Sequence, residues 1–325
     1  MIEEITVNRN PPANLKPEDY PLFRQSLQTT FRRLHPITIK NAWILQDTVF
    51  SPGEFRFYSE FTHQKKLPLL PIAKRIGLCA VKSWKKIPKG IWILDEWSPN
   101  YFHWMADCLP RLWEGLDRAP EFPVILPEFF KNIPFVVQSL SLIKVRVEYF
   151  KTSENVKVDT LVLTARTASY PNFNLPLTKR TRENLALHST KSPWRKIYIS
   201  RKFAPKRRAH NEDEVEVLLV KKGFEIVYAE KLTVHQQIRL MSETSVLAGL
   251  HGAALTNMFF LPKTAKVLEL RNQNDHLTQC FFKLASALDL AYYYTLNRGD
   301  SENTILTDFT IDLEALDKTL DQILF

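Results

Sequence analysis

Asn100, His103, Asp107 and Arg111 follow one another at spacings of three, four and four. A helix over 98–116 would put all four on one face. His103 and Asp107 would then lie one turn apart, close enough to hydrogen-bond. A carboxylate oriented by a neighbouring His or Arg is a general base for a hydroxyl proton, which would make Asp107 catalytic with His103 its orienter and leave Asn100 and Arg111 to position an acceptor. The same stripe also describes a solvated helix face with a surface Asp–His pair. The second candidate is Ser245-Val-Leu-Ala-Gly-Leu-His251-Gly252-Ala-Ala-Leu-Thr-Asn257, read as strand, tight turn and helix start. Such a turn offers backbone N–H groups and a positive dipole end to an anion; Gly252 permits close approach, and His251 can donate to a phosphate oxygen. Residues 195–210 carry seven Lys/Arg and no acid. Arg201, directly behind a strand, is the expected phosphate contact, with Arg207 and Arg208 next; a solvated polyanion patch is the other reading. Ala253 and Asn257 complete the anion turn, and Glu269 at the end of the next strand either binds a ribose hydroxyl pair or pairs with Arg271.

The elements that would carry these residues are legible in outline. Strands are expected at 41–50, 90–94, 123–126, 145–149 and 156–164, with a helix near 128–141. Ser98-Pro-Asn opens the helix at 98 with Ser98 as N-cap, and Pro110 kinks it by freeing a carbonyl near Ala106. Residues 1–30 read as a Pro-rich surface wrap, and 168–180 as a linker or active-site loop. From 196 the pattern is regular: a strand at 196–200, a helix from a capping box at 211–214 to Gly223, and a strand at 224–229. A helix follows from a second box at 233–236, then a strand at 245–250, a helix at 253–260 and a strand at 265–270. That βαβαβαβ order predicts a parallel sheet whose ligands sit beyond the carboxyl ends of its strands. A last amphipathic helix covers 312–324.

The chain has 325 residues, a net charge of +9 and 45% apolar residues. This suits a large folded protein that meets an anionic partner. The cysteines at 79, 108 and 280 have no metal spacing and fit small buried hydrophobes in a reducing compartment. The N-terminus lacks an apolar leader, and no run is long enough to span a bilayer, so a cytoplasmic protein is expected. Gly-rich dinucleotide and P-loop fingerprints, zinc-ligand spacings and an Asp-x-Asp pair are all absent. Neither a resident cofactor nor an obligatory metal is expected.

Three blocks together resemble glycosyltransferase family 61: Asn100-Tyr-Phe-His-Trp-Met-Ala-Asp-Cys-Leu-Pro-Arg-Leu112, Tyr198-Ile-Ser-Arg-Lys-Phe-Ala-Pro-Lys-Arg-Arg-Ala-His-Asn-Glu212, and Leu250-His-Gly-Ala-Ala-Leu-Thr-Asn-Met-Phe-Phe-Leu-Pro262 with Val267-Leu-Glu-Leu270. The resemblance implies an α/β, GT-B-like fold, with two Rossmann-like α/β domains facing a cleft. It implies inverting, metal-independent transfer of a sugar from a nucleotide diphosphate donor, usually UDP-linked xylose or N-acetylglucosamine, to a hydroxyl of a glycan or glycolipid in surface polysaccharide or glycan synthesis. It favours the catalytic reading of Asp107 and His103 and the donor reading of Arg201, Arg207, Arg208, His251, Gly252, Ala253, Asn257 and Glu269. Where the family often has His-Gly-Ala-Gly this chain has Ala254, whose methyl limits how near a phosphate can come. The expected domains are 1–175 on the acceptor side, 176–305 for the donor, and a helix at 306–325 packing back on the first. Trp84, Trp92, Trp97 and Trp104 either stack on sugar rings or fill the core. The basic face suits a peripheral contact with an anionic membrane, and no nucleic-acid partner is expected. Two other readings compete: a Rossmann-like polyanion binder, and a nucleotide-sugar binder without turnover.

Overall fold

Short β-branched and aromatic runs bounded by Pro, Asn and Asp set the strands, and stretches capped by Asn or Thr set the helices between them. The computed structural model describes residues 2–62, 68–187, 192–275, 279–301, 304 and 307–324. The chain opens with two paired strands, β1 (Ile2–Asn8) and β2 (Gln28–Leu34), flanking α1 (Tyr20–Leu27). It divides into two units: residues 1–5 with 32–169, and residues 6–31 with 170–325.

The first unit is built on β3 (Ile37–Leu45), β4 (Thr48–Ser51), β5 (Arg56–Phe57), β6 (Ser83–Trp92), β7 (Val124–Pro127), β8 (Val147–Phe150) and β9 (Glu154–Leu163). They form one sheet in the order β5-β4-β3-β9-β6-β7-β8. The four strands β9, β6, β7 and β8 are parallel, and β3 closes antiparallel on β9. All four residues of β7 are buried, the pattern of a strand covered on both faces. Helices α2 (Leu69–Val81), α3 (Tyr101–His103), α4 (Leu109–Arg118) and α5 (Pro134–Ile143) complete the unit. The single strand expected over 41–50 is a hairpin, because Gln46 takes a left-handed φ of 61° that turns the chain. The helix α2 was not foreseen; its partly exposed apolar stretch lacks a side-chain cap.

The second unit carries α6 (Leu175–Leu185), β10 (Arg195–Ile199), α7 (Glu212–Lys221), β11 (Glu225–Val227), α8 (Val234–Ser242), β12 (Thr244–Leu250), β13 (Lys266–Asn272), α9 (Cys280–Ala287), β14 (Ala291–Gly299), β15 (Phe309–Thr310) and α10 (Leu313–Leu324). The sheet order is β11-β10-β12-β13-β14-β15, parallel except for the last strand. Both units are α/β layers around a largely parallel core, as expected for two Rossmann-like domains. Thr233 and Gln236 form the expected reciprocal cap on α8, and Gly223 follows α7 at φ 82°. The box expected at 211–214 does not form. Asn211 bonds both ways to the backbone of Ile311, and Glu212 turns inward. The segment 253–260 is a 3-10 helix, and 168–180 ends in α6, capped by Asn174.

Two expected placements change. Residues 6–31 belong to the second unit, where Phe23 is fully buried among Phe282, Tyr292 and Tyr294 at centroid distances of 5.3, 6.5 and 4.8 Å. Packing of one large ring outweighs the polar, Pro-rich composition that read as a surface wrap. The C-terminal helix α10, expected on the first domain, puts Leu316, Leu320 and Ile323 into the core of the second unit, with Val215 and Leu219 of α7. Cys108 and Cys280 are buried as expected, and Cys79 is half-buried. Among the described residues no helix is long and apolar enough to cross a membrane. Phe23→Ala is expected to destabilise the protein by about 3–5 kcal/mol in a denaturant melt. Tyr20→Ala, at an exposed ring of the same helix, should be near neutral.

Candidate active site

In the first unit the site grows from two adjacent parallel strand ends. Trp92 of β6 and Leu163 of β9 are register partners, so the loops bearing Asp95 and Arg166 leave the same sheet edge. Asp95 closes the turn that leads to the helix: its Oδ1 accepts from Trp97 N at 3.0 Å and Ser98 Oγ at 3.3 Å. Ser98, the expected N-cap, is consumed by that turn. Asn100 is the cap instead, accepting from Phe102 N at 2.9 Å.

The helix then widens into a π segment over Trp104–Cys108, closed by Leu109 N–H on Trp104 O. Pro110 has no N–H with which to continue the α ladder, and the expected kink takes this form. The wide turn rotates Arg111 away from the polar face. Arg111 is fully buried, 3.3 Å from Asp95 through Nη1 and bonded through Nη2 and Nε to Thr164 O (2.5 Å) and Oγ1 (3.2 Å). It ties helix to strand ends, and Asn100 caps the helix; the acceptor-positioning role expected for both gives way to these.

His103 and Asp107 do meet, Nδ1 to Oδ2 at 2.7 Å. Arg166 donates to the same Oδ2, and Trp97 packs on the imidazole at 4.6 Å between centroids. Burial alone would raise the Asp107 carboxyl, but Arg166 and His103 outweigh it and hold the group below the usual carboxylate range. A carboxylate clamped this way is a poor proton acceptor at neutral pH. Its position also orients His103: in the tautomer whose Nδ1 donates to Asp107, Nε2 is the basic ring nitrogen. Of the four tryptophans, Trp92 and Trp104 are core, Trp84 packs edge-on against Trp43, and Trp97 borders this dyad.

In the second unit Arg201, His251 and Gly252 come together behind β10 and β12, themselves register neighbours. Arg201 donates through Nε to Arg207 O at 3.0 Å and through Nη2 to Lys206 O at 2.9 Å. This lays the guanidinium over Gly252, where a Cβ would stand 2.3 Å from Nη1 and 2.9 Å from Cζ. Glycine is required here for space and not for its backbone angle. Arg207 adopts a left-handed φ of 55°, a strained conformation for its type that offers its carbonyl to Arg201. Burial pushes the Arg201 guanidinium down to about 10, with Arg207 adding to the shift, and burial lowers Arg207 as well. Among the described residues neither has a carboxylate at ion-pair distance. Glu212 is buried beneath them and accepts from Tyr198 Oη, Ser200 Oγ and Arg201 N, which fixes the strand end.

His251 is oriented from behind. Its Nδ1 bonds to Glu269, which also accepts from Tyr292 Oη, and Phe281 meets the ring edge-on at 5.1 Å. Glu269 is 1% exposed. Burial would raise its carboxyl, yet the charge of His251 keeps it low. The ribose role expected for it is replaced, because its oxygens are occupied inside the core. The amides of Ala253 and Ala254 open the 3-10 segment, whose first bond is Leu255 N–H to Gly252 O at 3.0 Å. Asn257 lies buried in that segment, and Arg208 is an exposed partner of Asp308 at 3.2 Å. Two further cations of the basic stretch are neutralised, Arg195 by Glu225 and Glu243 and Lys202 by Asp213. Asp95, Arg166, Glu212 and Tyr292 escaped sequence reading. For the first two the signal was there: a charged residue just past an apolar strand end.

A family model described as Glycosyltransferase 61 matches residues 101–268. The EGF domain-specific O-linked N-acetylglucosamine transferase of Drosophila melanogaster is 35% identical over 108 residues, 31% of this chain and 20% of that protein. The protein of the same name from Mus musculus is 30% identical over 116 residues, 34% of this chain and 22% of its own length. The similarity thus spans only 20–22% of these curated relatives.

Gly252→Ala should displace Arg201 and weaken UDP binding about tenfold or more by calorimetry, the scale of one charge-assisted hydrogen bond. Arg208→Ala should leave it within about twofold. Arg111→Met should cost about 3–5 kcal/mol of stability, since Asp95 keeps its burial and loses its main partner.

Proposed function

The chain belongs to the glycosyltransferase 61 family, and we propose that it moves a sugar, with inversion, from a nucleotide diphosphate donor to an acceptor hydroxyl. The observation that carries this reading is the Arg201 guanidinium laid over Gly252 beside His251, with Arg207 adjacent and, among the described residues, no acid at ion-pair distance from either. Two desolvated like charges side by side are unfavourable until an anion joins them. A diphosphate carries its largest charge as it leaves, so these contacts strengthen along the reaction. Their cationic charge can fill the role that a divalent ion plays on a diphosphate, which supports metal-independent transfer. The similarity to two N-acetylglucosamine transferases supports N-acetylglucosamine over xylose as the transferred sugar.

The reaction is a direct displacement. His103 Nε2 takes the acceptor hydroxyl proton, the oxygen forms a bond to the anomeric carbon, and the bond from that carbon to the diphosphate oxygen breaks with its electron pair leaving on UDP. Asp107 holds His103 in the donating Nδ1 tautomer and stabilises the imidazolium. This inverts the roles that spacing alone suggested. The polyanion-binding reading is weakened because Arg195, Lys202 and Arg208, three of the seven cations in the basic stretch, are paired with acids.

His103→Ala should lower kcat by about 10²–10⁴ while UDP affinity stays near normal, and Asp107→Asn should lose less. If His103→Ala keeps its turnover and Asp107→Asn abolishes it, Asp107 is the base. If no UDP-sugar is consumed and DNA alone binds, with a steep salt dependence, the transferase reading fails.

A further inference from the structure

The first unit holds a cavity of about 510 Å³ that the family match does not explain. Its size falls in the range of small-molecule sites. Its walls combine apolar rings and prolines (Trp92, Phe129, Phe130, Phe150, Pro99 and Pro127) with the carboxylates of Asp47, Asp95, Glu96 and Glu154 and the ammonium of Lys82. Three of the rings are core residues, but Phe129 is 42% exposed. Phe129 is also rigidly backed. It stacks on Phe130 at 4.5 Å and 29°, and Phe130 rests on Trp104 at 5.9 Å. A flat, half-open ring fixed at a cavity wall is a platform for another flat or ring-shaped apolar face.

The charges say what kind of ligand fits. Asp95 is met by Arg111 at 3.3 Å and by Arg166 at 4.0 Å, and Asp47 is paired with Arg75. Lys82 stands on the same wall. Arginines answer two of the four carboxylates, so the lining is rich in acceptors and acidic on balance. Such a lining suits hydroxyl donors and disfavours a strong anion. Asp95 also joins the cavity to the candidate base. It contacts Arg166, which bonds to Asp107, which holds His103.

The geometry points to a subsite for an uncharged carbohydrate, with the CH face of one sugar ring on Phe129 and its hydroxyls on the acidic wall. It rests on the transferase reading only for its role: the occupant is the acceptor, and its class is a neutral glycan end. An acidic polysaccharide would match this lining poorly.

The test is saturation-transfer NMR on the full chain without donor, using the N-acetylglucosamine trimer, xylotriose, trigalacturonate and a tri-lysine peptide at ~10 mM, above the weak affinities expected of one stacked ring. UDP is titrated in parallel. A neutral trimer should bind, Phe129→Ala should weaken it about three- to tenfold, and Phe129→Trp should retain it, with UDP affinity unchanged in both variants. Binding only of trigalacturonate or tri-lysine overturns the inference. So does the absence of any trimer binding, or neutral binding that ignores Phe129. If neutral binding depends on Phe129 but UDP does not bind the wild-type protein, the subsite stands and the transferase reading falls.

Discussion

Arg111 and Asp95 form a fully buried ion pair, and the geometry of the first unit's site depends on it. A buried guanidinium survives only if every donor is matched, and here the partners come from the ends of two strands. Asp95 lies beyond β6 and Thr164 beyond β9, while Arg111 comes from α4. The pair therefore locks the two carboxyl ends to the helix that bears His103 and Asp107. It also leaves Asp95 a second contact, to Arg166, through which the clamp on Asp107 is held.

The second unit works by the opposite arrangement. Among the described residues Arg201 and Arg207 have no acid at ion-pair distance, and backbone carbonyls from a strained loop take the place of carboxylates on Arg201. Carbonyls orient a guanidinium without neutralising it, so its charge stays available to a ligand. Glu212 and Glu269 lie close by, yet both are used from behind, one on the strand end and one on His251. Charge is thus neutralised where it holds the fold and left open where it would meet phosphate.

Both clusters follow one rule of open α/β sheets, in which loops behind parallel strands carry the chemistry. In the first unit Trp97, the His103–Asp107 dyad and a cavity wall all converge on the loop behind β6. In the second, Arg201 and His251 sit behind neighbouring strands whose register fixes their spacing.

Much of this was legible in the chain. The alternation of β and α after residue 195, the Thr233 cap and the junction at Gly223 are local patterns, and local patterns fix local elements. So are the spacing that joined His103 to Asp107 and the juxtaposition of strand end and basic residue at Arg201. What sequence could not decide was direction and partner. Arg111 shares the spacing of the polar stripe, but a π turn at Pro110 swung it inward. Glu269 reads as a strand-end ribose ligand, but β13 runs on to Asn272 and Glu269 lies mid-strand, bonded in the core to Tyr292 and His251. Arg166, 59 residues from Asp107, helps hold that carboxyl below the usual carboxylate range. Sequence determined which residues stand at the sheet's working edges, because periodicity and caps act over a few residues. Tertiary structure alone decided which of them are struts and which are open to ligand, because burial and charge pairing depend on neighbours distant along the chain.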